Sequence, residues 1–316
     1  LMFMANVIRF THRLKSTHLK LIQRITENGQ LGIAAHTVGM TQPAASRILA
    51  EIEAHIEAPL FKRHPKGMIP TEAGSIFVQH SRTILAAMAN LESEVTHLST
   101  GNLGQVRVGA VTGPAVGCLV PAVQKVKSRT TDLRITIEVG PSTQLMRALV
   151  EREFDFVIAR VPPEYDSRDF KITPASSEVV SLLVRKNHPL SDAKQLRLAN
   201  LEHYEWVIQQ RGSPIRQALE NAFYISKVKI PSNIISTSSA LVMLAYLAST
   251  DAITAQSQEV ASMMTQSNLD ANITVLDHVE EIIVSPFFII QNANQQLSPA
   301  ASLLLKEVLY RMSQAE

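Results

Sequence analysis

Residues 32–53, GIAAHTVGMTQPAASRILAEIE, constrain the fold more than any other stretch of this chain. Apolar residues recur at helical spacing on both sides of Gly39, and Thr-Gln-Pro restarts the pattern after it. A helix-turn-helix needs a small residue where its helices touch, a glycine in the turn and apolar residues facing inward. Ala35 supplies the contact, and Gly39 can take the left-handed conformation that stops the first helix. Ala34, Val38, Met40, Ala45 and Ile48 fall at the inward positions. Thr41 stands where the second helix wants its N-cap, and Pro43 lies in the first turn, where a missing N–H costs little.

Turning Ala45, Ile48, Leu49 and Ile52 inward leaves Gln42, Pro43, Ser46 and Arg47 projecting together from the start of the second helix. That end of a recognition helix enters the major groove. Glutamine can pair bidentately with adenine, arginine with guanine or phosphate, and serine with either. Thr41 and the helix N-terminus can meet a phosphate. The next segment, APLFKRHPKGMIPTEAG at residues 58–74, reads as a short β-wing. It sets Lys62, Arg63, His64 and Lys66 near backbone phosphates, lets the chain reverse at Gly67 and caps another helix with Thr71. Residues 1–75 carry 9 Lys/Arg against 5 Asp/Glu, whereas the remainder carries 21 against 23, so only one end of the chain favours a polyanion.

From Glu72 to about Leu98, Phe77, Ile84, Leu91 and Leu98 recur every seven residues, with Ser81, Met88 and Val95 as the companion row. This is a coiled-coil seam, and it predicts pairing with the same helix of a second chain. A small-residue hinge, STGNLG at residues 99–104, follows. Beyond it apolar strands alternate with helices: QVRVGAV, LRITIEVG and FDFVIARV form one set, and VVSLLV, WVIQ, NIIS, AITA and ITVLDHV a second. That order predicts two α/β lobes built on parallel, doubly wound sheets, with the chain crossing back through IIVSPFFIIQ to a last helix near residues 298–312.

Ligands of open α/β sheets bind beyond the carboxyl ends of strands, near helix starts. In the first lobe this rule selects Thr112, Gly113, Ser142, Thr143 and Arg160. In the second it selects Gln209, Gln210, Arg211, Ser213, Thr237, Ser238 and Ser239. Hydroxyls and open backbone N–H groups at helix starts suit a small polar or anionic ligand.

Together these stretches resemble the LysR-type transcriptional regulators over nearly the whole length. AAHTVGMTQPAASRILAEIE and APLFKRHPKGMIPTEAG carry the resemblance most strongly, with GQVRVGAV and RKNHPL adding to it. The resemblance implies a winged helix-turn-helix over 12–71, a linker helix for dimerisation over 72–100, and a two-lobed, periplasmic-binding-protein-like α/β effector domain over 101–316. It implies double-stranded DNA, a small-molecule effector and further copies of the chain, commonly as a homotetramer, as partners, with RNA polymerase a candidate and no membrane. The family's DNA-reading positions match Gln42, Pro43, Ser46 and Arg47, and its wing contacts match Arg63 and Lys66. Its effector contacts match Thr112, Ser142 or Thr143, and the loops around Gln210 and Thr237. Two departures stand out: Gly32 replaces the Ser or Thr that usually opens the scaffold helix, and HLKLIQRI lacks the usual aromatic residue of the first helix. The cysteine pair of peroxide-sensing members is absent as well.

Catalytic signatures are missing. There is no P-loop, no HExxH, no CxxC and no nucleophile elbow, and the histidines lack metal spacing, so no cofactor is expected. Cys118 is the lone cysteine; it reads as a packed residue and fits a reducing, cytoplasmic setting. No apolar run approaches the ~18 residues of a membrane span, and the N-terminus does not read as a signal peptide. The competing readings, a solute-binding protein or an enzyme using the C-terminal cleft, both predict that the main activity survives loss of residues 1–75.

Overall fold

The structure, a computed structural model, describes residues 14–65, 67–100, 104–130, 132–266 and 272–314. It forms two compact units that divide between residues 100 and 104. In the first, helices α1 (Ser16–Asn28), α2 (Leu31–Thr37) and α3 (Gln42–Ile56) close around Leu21, Ile22, Ile25, Ala34, Ala35, Ala45, Leu49 and Ile52. These residues recur at three- and four-residue spacing, so each helix buries one stripe. The turn after α2 is a Schellman motif: Gly39, at φ +73°, donates to the His36 carbonyl (3.1 Å) and Met40 donates to that of Ala35 (3.0 Å). Thr41 has the extended backbone of an N-cap, but its hydroxyl makes no capping bond, so the cap expected there is one of position only.

Strands β1 (Phe61–His64) and β2 (Gly67–Pro70) pair antiparallel as the wing, with His64 opposite Gly67. Hydrogen bonds and core packing of Phe61 and Met68 hold the wing on the helices. Glu53 Oε1 accepts the Leu60 N–H at 2.7 Å, and Met68 donates its N–H to the Gly29 carbonyl at 2.6 Å. Thr71 begins helix α4 (Glu72–Thr100), its hydroxyl accepting from Gly74 N–H at 3.0 Å. The heptad row splits by what it touches. Phe77 packs on the helical core and Ser81 is buried, whereas Ile84, Met88, Leu91 and Val95 form a continuous exposed row. The unpartnered seam therefore starts one heptad later than the periodicity suggests; the Leu98 side chain, hinge residues 101–103 and wing residue Lys66 lie outside the described residues.

The second unit holds two lobes. Strand β3 (Gly104–Ala110) leads into a helical turn Thr112–Pro114, a π-turn Ala115–Leu119 and helix α5 (Val120–Lys127). Strand β4 (Leu133–Val139), helix α6 (Ser142–Val150) and strands β5 (Phe156–Ala159) and β6 (Phe170–Pro174) follow. The chain then enters the second lobe through β7 (Glu178–Arg185), β8 (Trp206–Ile208), α7 (Pro214–Ile225), β9 (Ile234–Ser236), α8 (Ala240–Leu247), β10 (Thr254–Ser257), α9 (Gln258–Thr265) and β11 (Ile273–Val275). It returns through β12 (Ile283–Val284) and β13 (Phe288–Asn292) and ends on α10 (Pro299–Ser313), back on the first lobe.

The sheet of neither lobe is wholly parallel, which corrects the expectation of parallel, doubly wound ones. The first runs β4-β3-β5-β13-β6; β3 is parallel to β4 and β5, but the returning β13 is antiparallel to both neighbours. In the second lobe β7 is antiparallel to β10, β11 and β12 in one four-stranded sheet, and β8 and β9 form a separate parallel pair. The antiparallel members are the strands that arrive from the other lobe, so their direction follows from the crossing. The inner strands β5 and β7 are covered on both faces. Phe156 and Ile158 pack toward α5 and α10, and Val157 and Ala159 toward α6. Leu182 and Val184 share a core with α7 residues Leu219 and Phe223, and Leu183 one with Met243 of α8 and Val260 of α9.

Candidate functional site

On the first unit, Thr41, Gln42, Pro43, Ser46 and Arg47 are all exposed around the start of α3. The absence of a capping bond from Thr41 leaves the first-turn N–H groups of this helix open to an anion. Arg63 is exposed on β1 between exposed Lys62 and His64. A Cβ added to Gly32 would lie 3.2 Å from Gln42 Oε1, so the glycine that departs from the usual Ser or Thr gives room to the amide of a candidate base reader.

On the second unit, the carboxyl ends of the first lobe's strands converge on one ion pair. Arg160, at the end of β5, pairs through Nη2 with Glu178 at the start of β7, and only 13% and 3% of the two side chains is exposed. Arg160 Nε also donates to the Ser285 carbonyl (2.9 Å) and hydroxyl (3.2 Å), and its backbone N–H donates to Ser142 Oγ (3.1 Å). Gly113 is buried beneath this pair. A Cβ there would collide with the Glu178 carboxylate and come 2.8 Å from Ser257 Oγ, so a larger residue would have to displace the buried ion pair. Thr112 and Thr143 are exposed beside it.

The second lobe gathers its candidates around β8 and β9. Thr237 N–H donates to the Ile208 carbonyl (3.0 Å), and its hydroxyl accepts from Ser239 N–H (3.1 Å). Gln210, Arg211 and Ser238 are exposed, and Ser213 is half-buried at the start of α7. Arg216, which strand-end reasoning passes over, is buried one turn into α7. Its Nη1 donates to the Gln209 carbonyl and to Ser236 Oγ, both at 3.0 Å, while Nε meets Glu220 at 2.8 Å. It therefore ties the two candidate loops of this lobe together. Gln209 Nε2 reaches the Ala255 carbonyl at 3.0 Å, two residues before the Ser257 that faces Gly113.

The sequence thus locates Gly113, Ser142 and Arg160, which the fold brings together, but misses Glu178, Ser257, Ser285 and Arg216. Glu178 and Ser285 stand on the segments that cross between lobes; the pattern IIVSPFFIIQ contains Ser285, yet nothing local marks it as a neighbour of Arg160, 125 residues away. Among the described residues no three His, Cys, Asp or Glu side chains converge to hold a metal. Cys118 is buried with its thiol 3.7 Å from the Val308 carbonyl, and burial pushes its pKa to about 11. A thiol so held stays protonated at neutral pH, and the thiolate is the nucleophile.

Residues 16–75 match the family described as bacterial regulatory helix-turn-helix protein, lysR family, and residues 99–313 match the LysR substrate binding domain. The HTH-type transcriptional regulator GbpR of Rhizobium radiobacter is 34% identical over 256 residues, covering 80% of this chain and 85% of its own length. The regulator of the same name from Azospirillum brasilense is 31% identical over 294 residues, or 93% of this chain and 85% of its own length. In fold the chain is similar to full-length CbnR complexed with its target DNA, with a TM-score of 0.64 at 18% identity over 94% of this chain and 100% of that one.

Proposed function

The chain belongs to the LysR family of DNA-binding transcriptional regulators, and from that premise we propose which residues read DNA and which receive the effector. Residues 12–71 are the DNA-binding part, 72–100 the dimerisation helix and 101–316 the effector part. Gln42, Ser46 and Arg47 read base edges; Thr41, Pro43 and the α3 N-terminus dock the backbone, and Arg63 and Lys66 hold it from the wing. The observation that carries this assignment is the shared exposure of Gln42, Ser46 and Arg47 on one end of a helix whose other face is fixed in the core. The effector enters between the lobes, where Gly113, Ser142 and Arg160 meet Ser257, with Thr112, Thr143 and the Gln210–Ser213 and Thr237–Ser238 loops at its rim.

The exposed row Ile84, Met88, Leu91 and Val95 supports pairing of two chains along α4, and two such dimers make the tetramer we propose. The relatives are regulators, and we assign this chain no catalysis. Among the described residues no helix is long and apolar enough to cross a membrane; the cytoplasm is the proposed place of action, and RNA polymerase the proposed partner at the promoter.

Substitution separates the two sites. Arg47→Ala should cost about 1–3 kcal/mol on the cognate duplex and much less on random DNA, whereas equal loss on both would assign Arg47 to phosphate. Thr112→Val should leave unliganded DNA binding intact and weaken the effector response. An unchanged response removes Thr112 from the site.

A further inference from the structure

We propose that Glu53 is a positioning residue for DNA recognition. Through the Leu60 peptide it fixes the angle between the base-reading helix α3 and the pairing helix α4, and so selects the spacing of two half-sites. This rests on the reading of α3 as the base reader and of α4 as the helix that joins two chains.

One peptide ties three elements together. Leu60 is fully buried, and its backbone N–H donates to Glu53 Oε1 on α3 at 2.7 Å. Its carbonyl accepts the backbone N–H of Thr71, where α4 begins, at 2.9 Å. The Thr71 hydroxyl donates to the Pro59 carbonyl at 2.6 Å and accepts from Gly74 N–H at 3.0 Å. Gly74 passes so close to the Leu60 carbonyl that a Cβ would collide with it. The α3 end of the linkage is fixed as well. The Glu53 carbonyl accepts the N–H groups of Glu57 and, at 3.3 Å, Ala58, where the helix stops. Glu53 thus ends α3 with its backbone and, with its carboxylate, places the segment that leads to the wing and to α4.

The length of α4 makes this joint a sensitive one. Leu91, in the exposed row, lies ~30 Å along the helix from Thr71 at 1.5 Å per residue. A tilt of ~6° at the joint moves that point by ~3 Å, about the rise of one base pair. Half-site spacing in a paired reader follows from the geometry of its two heads, so the joint must hold the angle to within a few degrees. Phe77 and Val78 of α4 pack on the core of the head, but apolar burial has no direction of its own. Hydrogen bonds do, and one accepted by a carboxylate is shorter and stronger than one between neutral groups. The Glu53–Leu60 bond is the charged one in the linkage, and it belongs to the same helix as Gln42, Ser46 and Arg47.

The experiment measures binding of the full chain to the intergenic duplex beside its own gene. That duplex is used unmodified, cut into halves, and with two base pairs inserted or removed at the centre of the segment the chain protects. The unsubstituted chain should lose at least about tenfold in affinity when the spacing changes. Glu53→Ala should bind a half duplex within about threefold of the unsubstituted chain, bind the unmodified duplex more weakly, and lose less than about threefold on either change of spacing. Glu53→Gln, which keeps an acceptor at the same reach, should retain most of the selectivity that Glu53→Ala loses. Lys62→Ala, on the exposed wing, should weaken binding to all the duplexes alike. Should Glu53→Ala fail to fold or lose the half duplex too, Thr71→Val, which removes only the hydroxyl at the α4 end, decides by the same criterion. Spacing selectivity that survives both substitutions with half-duplex binding intact overturns the proposal. An unsubstituted chain that binds the whole duplex more tightly than either half, but at every spacing alike, also overturns it and leaves the pairing of two heads standing. A whole duplex bound no more tightly than its halves removes the pairing, and with it the role of Glu53.

Discussion

Truncating Leu91 tests whether α4 pairs with its copy. Leu91 is 65% exposed, the most exposed member of the row Ile84, Met88, Leu91 and Val95. Fully burying a leucine contributes about 1.5–3 kcal/mol, so covering the exposed part of Leu91 contributes about 1–2 kcal/mol per chain. Leu91→Ala removes most of this, and a two-fold dimer loses it twice, or about 1.5–3 kcal/mol in all. At 1.4 kcal/mol per decade the dimer dissociation constant should rise roughly 10- to 100-fold. Because the side chain is exposed within its own chain, the fold itself should change by less than about 0.5 kcal/mol. Sedimentation equilibrium over a dilution series measures the first quantity and chemical denaturation of the dilute chain the second. A dissociation constant unchanged within about threefold, with the fold intact, would refute pairing through this row.

Three further outcomes follow from local geometry. Glu57 ends α3 with φ +57° and is exposed, so Glu57→Gly should relieve left-handed strain and stabilise the first unit by about 0.5–1 kcal/mol in urea unfolding; a loss would mean that the carboxylate carries a contact worth more than the strain. Gly74→Ala drives a methyl into the Leu60 carbonyl, and the same assay should report a loss of about 1–3 kcal/mol with the wing loosened. His188 is buried, with Nδ1 accepting the Leu190 N–H at 3.0 Å and Nε2 facing the Asp251 carbonyl at 3.1 Å, so its ring must be neutral. Burial lowers its pKa, which means the unfolded chain holds the proton more strongly. Its contribution is complete above about pH 6.5 and is lost as pH falls through the window below. Melting temperature should therefore drop on acidification, and His188→Gln should flatten that drop.

What was legible in the sequence is what is local. The helix-turn-helix needs contacts between residues fewer than twenty positions apart, and Ala35, Gly39 and Ala45 each do what their spacing announces. Strands such as FVIA, buried on both faces, are visible as apolar runs. Direction is not, because whether a strand runs parallel depends on where the chain has been. The crossing strands β7 and β13 therefore run antiparallel to their neighbours. The heptad row shows the same limit in smaller form. Periodicity marks the stripe on α4 but not what covers it, and Phe77, which shares the heptad spacing, packs on its own domain. At the cleft, the strand-end rule found Arg160 but not Glu178, since an ion pair across a crossing leaves no spacing to read.

The measurement that tests the central claim most directly is fluorescence anisotropy of the full chain on the intergenic duplex beside its own gene, against a random duplex of equal length, across a salt series. The account predicts tighter binding to the intergenic duplex at physiological salt, with the preference lost in Gln42→Ala/Arg47→Ala while the slope against salt stays nearly the same. Equal, weak and steeply salt-dependent binding to both duplexes, or a preference that survives the double substitution, would contradict the assignment of base reading to the start of α3.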